Sequence, residues 1–197
     1  MQEQVNICGG TSPIQLARVV IDAGHGGRDP GAVGRVLGLF EKDVVLDIAL
    51  GIEQLAKESG AFEAILPRRT DVRLTIAERN APAGDIFLSL HCNAFTDPLV
   101  HGSEVFYLRG MQESSYLADW VLDSILRETG WRNRGVKPNN TFGVLRGNRN
   151  RPAVLVEYDF ISNAQREREF MDKLTRRNLA RATYQGIVNF LAVRSTY

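Results

Sequence analysis

Three histidines occur in the chain, His25, His91 and His101, and two of them stand where a metal site could be built. The two cysteines, Cys8 and Cys92, are far too distant for a Cys-x-x-Cys zinc site, so any metal must be held by imidazole and carboxylate. His25 sits in Gly24-His25-Gly26-Gly27, directly after the β-branched run Arg18-Val-Val-Ile-Asp-Ala23. His91 ends the apolar run Asp85-Ile-Phe-Leu-Ser-Leu-His91, and Glu157 ends another, Ala153-Val-Leu-Val-Glu157. Two imidazoles and a carboxylate are a common ligand set for catalytic zinc, with the fourth position left to water. Zinc brings the pKa of such a water toward about 7, and a further carboxylate within hydrogen-bond reach then moves its proton. His25, Glu41 and His91 are therefore the candidate ligands. Glu157 is the candidate acid/base, since a charge at the end of a buried strand is costly unless something pairs with it.

Each residue also has a plainer reading. Glu41 opens a helix, where a carboxylate is favoured by the macrodipole. His91 alone reads as a hydrogen-bonded core histidine, and Glu157 as half of a buried ion pair. His25 in a glycine-rich loop suggests phosphate binding, but no Gly-Lys-Ser/Thr follows, so the P-loop pattern fails. His101, ahead of Gly102 at a strand start, reads as a surface residue or a support for the site. Joint placement favours the metal reading, because ligand sites in open α/β sheets lie beyond the carboxyl ends of the strands. Parallel strands ending near Ala23, His91 and Glu157 would bring these distant side chains to one rim.

The elements that must do this are legible from patterning. Arg18–Ala23 reads as a buried strand, and Glu41–Glu58 as an amphipathic helix through Val44, Val45, Ile48, Ile52 and Leu55, stopped by Gly60. Further strands are expected at Phe62–Leu66, Asp85–His91, Ser103–Leu108, Phe142–Leu145 and Ala153–Glu157. Helices are expected at Thr75–Asn80, Glu113–Thr129, Ala164–Lys173 and Thr175–Ala192. Alternating strands and helices imply an open α/β sheet with helices on both faces. One domain over residues 18–192 is expected, preceded by an irregular segment 1–17 and followed by a short tail 193–197.

Composition agrees with that reading. At 197 residues, with 44% hydrophobic and 24% charged side chains, the chain holds enough apolar material for one core. The net charge of +1 gives no indication of nucleic acid, and the arginines gathered at 127–151 and 166–181 read as a solvated surface. Cys8 in an irregular stretch and Cys92 in a buried strand argue against a disulfide framework. No segment is long enough for a transmembrane helix, and the first residues lack the pattern of a signal peptide. Export is expected either through a removed signal or by another route.

Five ordered blocks then carry a resemblance: VVIDAGHGGRDPGAVG, EKDVVLDIALGI, LPRRTDVRLTIAERN, DIFLSLHCNA and PAVLVEYDFISN. The chain resembles the zinc-dependent N-acetylmuramoyl-L-alanine amidases, the group that includes cell-division, spore and phage cell-wall amidases. The resemblance implies zinc held by His25, Glu41 and His91, with Glu157 as the catalytic glutamate. It also implies a mixed, mostly parallel sheet of about six strands flanked by helices. The implied substrate is peptidoglycan in the cell envelope, cleaved at the amide joining N-acetylmuramic acid to L-alanine of the stem peptide. Two positions depart from the family pattern. Asp159 replaces a glycine, which would place a tolerant residue in a turn and a second carboxylate near Glu157. Pro67 replaces a threonine, with a local effect expected at a strand end. Between Leu108 and Phe142 there is room for one helix and a loop, similar to compact members that need no activator protein. A zinc peptidase acting on stem peptides would use the same residues, whereas a non-catalytic wall-binding module would be expected to have lost one.

Overall fold

Three near-continuous apolar runs, buried on both faces, form the centre of the sheet, as parallel strands require. The structure, a computed structural model, describes residues 16–194; Cys8 and nearly all of the expected N-terminal segment lie outside the described residues. Strand β1 (Arg18–Ala23) pairs in parallel with β3 (Ile86–Asn93), and β3 in parallel with β6 (Ala153–Phe160). The short β2 (Glu63–Ile65) adds in parallel to β1 at one edge. On the other side β4 (Ser103–Tyr107) runs antiparallel to β6, and β5 (Asn133–Pro138) runs parallel to β4. The order is β2-β1-β3-β6-β4-β5, a mixed, mostly parallel sheet of six strands in a single α/β domain.

Side-chain alternation along the strands makes two unequal layers. Val19, Ile21, Ile86, Leu88, Leu90, Val154 and Val156 face a large core closed by α1 (Glu41–Ser59), α3 (Gln112–Thr129) and α6 (Lys173–Arg194). Val20, Phe87, Ala153 and Leu155 face the opposite way, into a small core with Val144 and Leu145 of α4 (Gly143–Arg146). The five-residue α2 (Ile76–Asn80), started by a reciprocal capping box between Thr75 and Glu78, lies on this thinner side and meets α4. Helix α5 (Ala164–Met171) follows β6, its first turn capped by the Asn163 side chain. The thin layer leaves the carboxyl ends of β1, β3 and β6 open.

Two expectations are corrected. Phe142–Leu145 is the start of a helical turn, α4, and not a strand. Four residues with Phe, Val and Leu satisfy either period, and only their burial against Phe87 and Leu155 selects the helix. Residues 133–138, expected as loop, form β5. Its sequence, NRGVKP, has a single aliphatic residue and ends in proline, so its strand character comes from pairing with β4 at a sheet edge. The last helix also runs through Arg194, past the expected tail boundary.

Helices α3 and α6 touch through a glycine. A Cβ at Gly186 would lie 2.7 Å from the Val121 Cα and 2.9 Å from the Trp120 carbonyl oxygen. In an isolated helix Gly186→Ala would gain about 1 kcal/mol. Here the obstruction is backbone, which yields less than a side chain, and overpacking costs about 1–3 kcal/mol. Gly186→Ala is therefore expected to lower stability by up to about 2 kcal/mol in urea unfolding. A variant as stable as the parent would contradict this close helix contact.

Candidate metal centre

The end of β1 is held by two buried arginines. Arg68 donates to the carbonyls of Ala23 at 2.9 Å, Gly24 at 2.7 Å and Lys42 at 2.9 Å. Arg79 donates to the Ala23 carbonyl at 2.7 Å and to that of His25, and pairs with Asp22 at 2.7 Å. The Ala23, Gly24 and His25 carbonyls lie at or beyond the end of β1, and guanidinium groups serve as their partners. Between them the chain turns so sharply that His25 adopts φ 59°, the only positive φ among the described non-glycine residues. Such a conformation costs of order 1 kcal/mol and persists only where the surroundings over-determine it. At Gly24 a Cβ would lie 2.3 Å from the His91 ring, so only glycine lets that imidazole approach.

Glu41, at the first position of α1, is the convergence point. It is only 3% exposed. Its Oε2 accepts from the Ala32 amide at 2.7 Å and its Oε1 from the Cys92 amide at 3.0 Å. The same Oε1 lies 2.9 Å from His91 Nδ1 and 3.1 Å from His25 Nε2. Potential ligand atoms of His25, Glu41 and His91 all fall within 4.8 Å of one another, a grouping that could hold a metal ion. Burial disfavours the Glu41 charge, but hydrogen bonds from His25 and His91 outweigh it and hold the carboxyl far below its usual range. Burial likewise opposes protonation of His25, and Glu41 and Asp29 outweigh it, raising the imidazole above 6.5.

The outer nitrogens of both rings are engaged, which turns the inner nitrogen of each toward Glu41. Ser89 Oγ donates its only proton to Asp22 Oδ2 at 2.8 Å. At 3.1 Å from that oxygen, His91 Nε2 must then be the donor, so Nδ1, which faces Glu41, is the nitrogen available to a metal. His25 Nδ1 faces Asp29 Oδ2 at 3.0 Å, leaving Nε2 toward the same point. Imidazoles that bind metals are oriented by such carboxylate and hydroxyl partners.

Glu157 completes the group. Its backbone pairs with His91 across β3–β6 and with Glu104 across β4–β6, so it lies between the two on the thin face. Its Oε2 is buried and has no hydrogen-bond partner. Burial first, then the charges of Glu41 and Glu104, push its pKa well above the ordinary carboxylate value. Glu104, itself buried, is stabilised by Asn93 at 2.7 Å, Arg134 at 3.0 Å and Lys137. Asp159 does not act on Glu157 as its sequence position suggested. It stays within β6 rather than entering a left-handed turn. Its Oδ1 accepts from the Gly102 and Phe160 amides, both at 2.6 Å, while Oδ2 lies 3.1 Å from Arg166 Nε. His101 stands apart from the metal-type group, near Asp159. Cys92 is a buried free thiol.

The expected residues are thus together, above a cleft of about 530 Å³ whose walls include Arg73, Ile76, Phe142 and Leu155. Asp22, Arg68, Arg79, Ser89, Glu104 and Glu167 carry roles that patterning did not assign. For Asp22 a signal existed: a charge inside a buried strand needs a partner, the same argument applied to Glu157. Glu167 of α5 is fully buried and accepts from the amides of Val36 at 2.7 Å, Leu37 at 2.8 Å and Leu39 at 3.2 Å. It thereby shapes the loop that delivers Ala32 to Glu41. Glu167→Ala would leave these amides unsatisfied, at about 1–3 kcal/mol in total stability. Amide exchange at 36–39 should accelerate well before global unfolding, and unchanged protection there would count against this anchor.

Comparison with known proteins bears on the family and the fold. Residues 19–189 match the family model described as N-acetylmuramoyl-L-alanine amidase. The chain is 35% identical over 185 residues to the N-acetylmuramoyl-L-alanine amidase LytC of Bacillus subtilis (strain 168), covering 91% of this chain and 36% of that protein. With the probable N-acetylmuramoyl-L-alanine amidase AmiB of Haemophilus influenzae it shares 27% identity, covering 91% of this chain and 52% of the relative. The chain thus spans roughly a third to a half of the length of these curated relatives. The solved catalytic domain of CwlV, an N-acetylmuramoyl-L-alanine amidase from Bacillus (Paenibacillus) polymyxa, superposes with a TM-score of 0.84 at 33% identity, over 90% of this chain and 99% of that domain. On the extent of the family match and the shared fold, this chain belongs to the N-acetylmuramoyl-L-alanine amidase family.

Proposed function

We propose that the chain is a zinc-dependent hydrolase of peptidoglycan, acting in the cell envelope. It cleaves the amide between N-acetylmuramic acid and L-alanine of the stem peptide, and its catalytic unit spans residues 18–192. One observation carries the reading: three converging ligand-type atoms lie beside a carboxylate whose Oε2 is buried and unpartnered. A carboxyl with no fixed partner suits a proton shuttle better than a structural ion pair.

The donor set fits zinc. His25 through Nε2, His91 through Nδ1 and Glu41 through Oε1 form the His₂Glu set known for catalytic zinc. Zinc supplies Lewis acidity there, polarising a carbonyl and bringing a water's pKa toward about 7. Glu157 accepts the proton of the attacking water as its oxygen bonds to the amide carbon. The carbon–nitrogen bond then breaks, and Glu157 returns the proton to the alanine nitrogen, which leaves as an amine. The other product is the lactyl carboxylate. With no fixed partner on Oε2, Glu157 is free to take that proton and to return it. Asp29 and Ser89 keep the two rings in their binding tautomers throughout.

No activator is needed in this reading. Helix α3 packs on the thick face of the sheet, and none of its residues lines the cleft. Among the described residues no helix is long and apolar enough to cross a membrane. The same centre would also suit a peptidase acting within stem peptides, and the relatives' printed activities favour the amidase.

Digestion of purified peptidoglycan should release stem peptides with a free L-alanine amino terminus, and a chelator should abolish this. Products cut within the peptide would replace the amidase reading by the peptidase one. Glu157→Ala should retain its zinc while turnover falls by about 10²–10⁴-fold; a well-folded variant with full activity would remove Glu157 from its role. His25→Ala and His91→Ala should instead lose zinc in elemental analysis, and full zinc content in either would exclude that ligand.

A further inference from the structure

One group on the cleft has no assigned role. Arg73 is exposed, lines the cleft alongside His25, Glu41, His91 and Glu157, and makes no hydrogen bond or ion pair among the described residues. The other arginine of the lining, Arg79, is buried and committed to Asp22. Arg73 is therefore the one uncommitted cation on a surface that otherwise carries the carboxylates of Asp29, Glu41 and Glu157.

Its base is fixed against the histidine loop. Asp71 accepts from the Gly27 amide at 2.7 Å, and Lys42 joins Asp71 at 2.7 Å to the Gly27 carbonyl at 2.9 Å. The backbones touch so closely that a Cβ on Gly26 would lie 2.1 Å from the Val72 carbonyl oxygen, and one on Gly27 2.9 Å from the Arg73 nitrogen. On the other side Thr75 is locked into the cap of α2. Residues 71–75 are thus pinned at both ends, and Arg73 projects from a rigid base rather than a free loop. Ile76, Phe142 and Leu155 supply apolar wall nearby, suited to the lactyl and alanyl methyl groups.

Close to the scissile bond the substrate offers few anions for this cation to meet. The N-acetylated sugars are neutral, and the lactyl carboxyl is consumed in the scissile amide. On the peptide side, a γ-linked glutamate in the second position keeps a free α-carboxylate. That group lies about two residue lengths, roughly 7 Å, from the scissile bond, and the same residue amidated to isoglutamine is neutral. Resting on the amidase reading above, we propose that Arg73 is a specificity-determining residue that pairs with this α-carboxylate and selects unamidated stem peptides.

The test uses two synthetic substrates, N-acetylmuramoyl-L-alanyl-γ-D-glutamate and its isoglutamine counterpart, with the zinc-loaded protein. A charge-assisted pair at an exposed rim should give the wild type about a tenfold higher kcat/KM on the acid, expressed mainly in KM. In Arg73→Gln the acid-to-amide ratio should fall to about one. Arg73→Lys, which keeps the charge without the fork, should fall between them. Zinc content and the unfolding midpoint of both variants serve as controls for folding. A wild type with no preference for the acid, or an Arg73→Gln ratio equal to that of the wild type, would overturn the assignment while leaving the amidase reading intact. Failure of the wild type to cut the muramoyl–alanine bond in either substrate would overturn both.

Discussion

A single buried carboxylate organises this molecule. Glu41 collects two imidazoles and two backbone amides on its two oxygens, and those four donors come from three separate stretches of chain. Burying such a charge is affordable only when every lone pair is engaged. The demand reaches back through the fold: the loop carrying Ala32 must close over Glu41, β3 must present the Cys92 amide, and the end of β1 must bend until His25 faces inward. A cation bound at the same point would satisfy the same requirement, which is why the arrangement suits metal binding without extensive rearrangement.

The supports follow from geometry that regular structure cannot supply. Once β1 stops, its last carbonyls have no strand partner, and the thin side of the sheet has too few helices to cover them. Arg68 and Arg79 take that place, each with several donors in a rigid fork. On the far side of Glu41, Glu167 does the complementary job for amides, neutralising a loop that turns its N–H groups inward. Cationic groups hold carbonyls and anionic groups hold amides. Neither device is visible as a motif, because each joins residues from different elements.

The switch of direction at β4 has a chemical consequence. An all-parallel sheet would bring the carboxyl end of its next strand to the rim, whereas β4 brings its amino end. Running antiparallel, β4 instead places Glu104 directly beside Glu157. Arg134 and Lys137, on the weakly patterned β5, then make that second buried carboxylate tolerable. The edge strand that lacks a pattern of its own thus stabilises the charge that raises the proton affinity of Glu157.

Much of this was readable without coordinates. The apolar runs ending near Ala23, at His91 and at Glu157, and the helical period opening at Glu41, located the central strands, the first helix and the four side chains that line the cleft. Those features are local: burial on both faces writes a continuous apolar run, and a helix against a core writes its period. What the sequence left open depends on contacts between distant segments. Phe142–Leu145 reads equally as strand or turn of helix, and residues 133–138 are a strand only because β4 offers an edge. Asp159, expected to bear on Glu157, turns instead to Gly102 and Arg166, whereas Glu104, 53 positions away in sequence, is its neighbour. Residue type and local spacing determined which groups could do chemistry; only the tertiary pairing of strands decided which charges face them, because Coulomb and desolvation energies depend on distance in space.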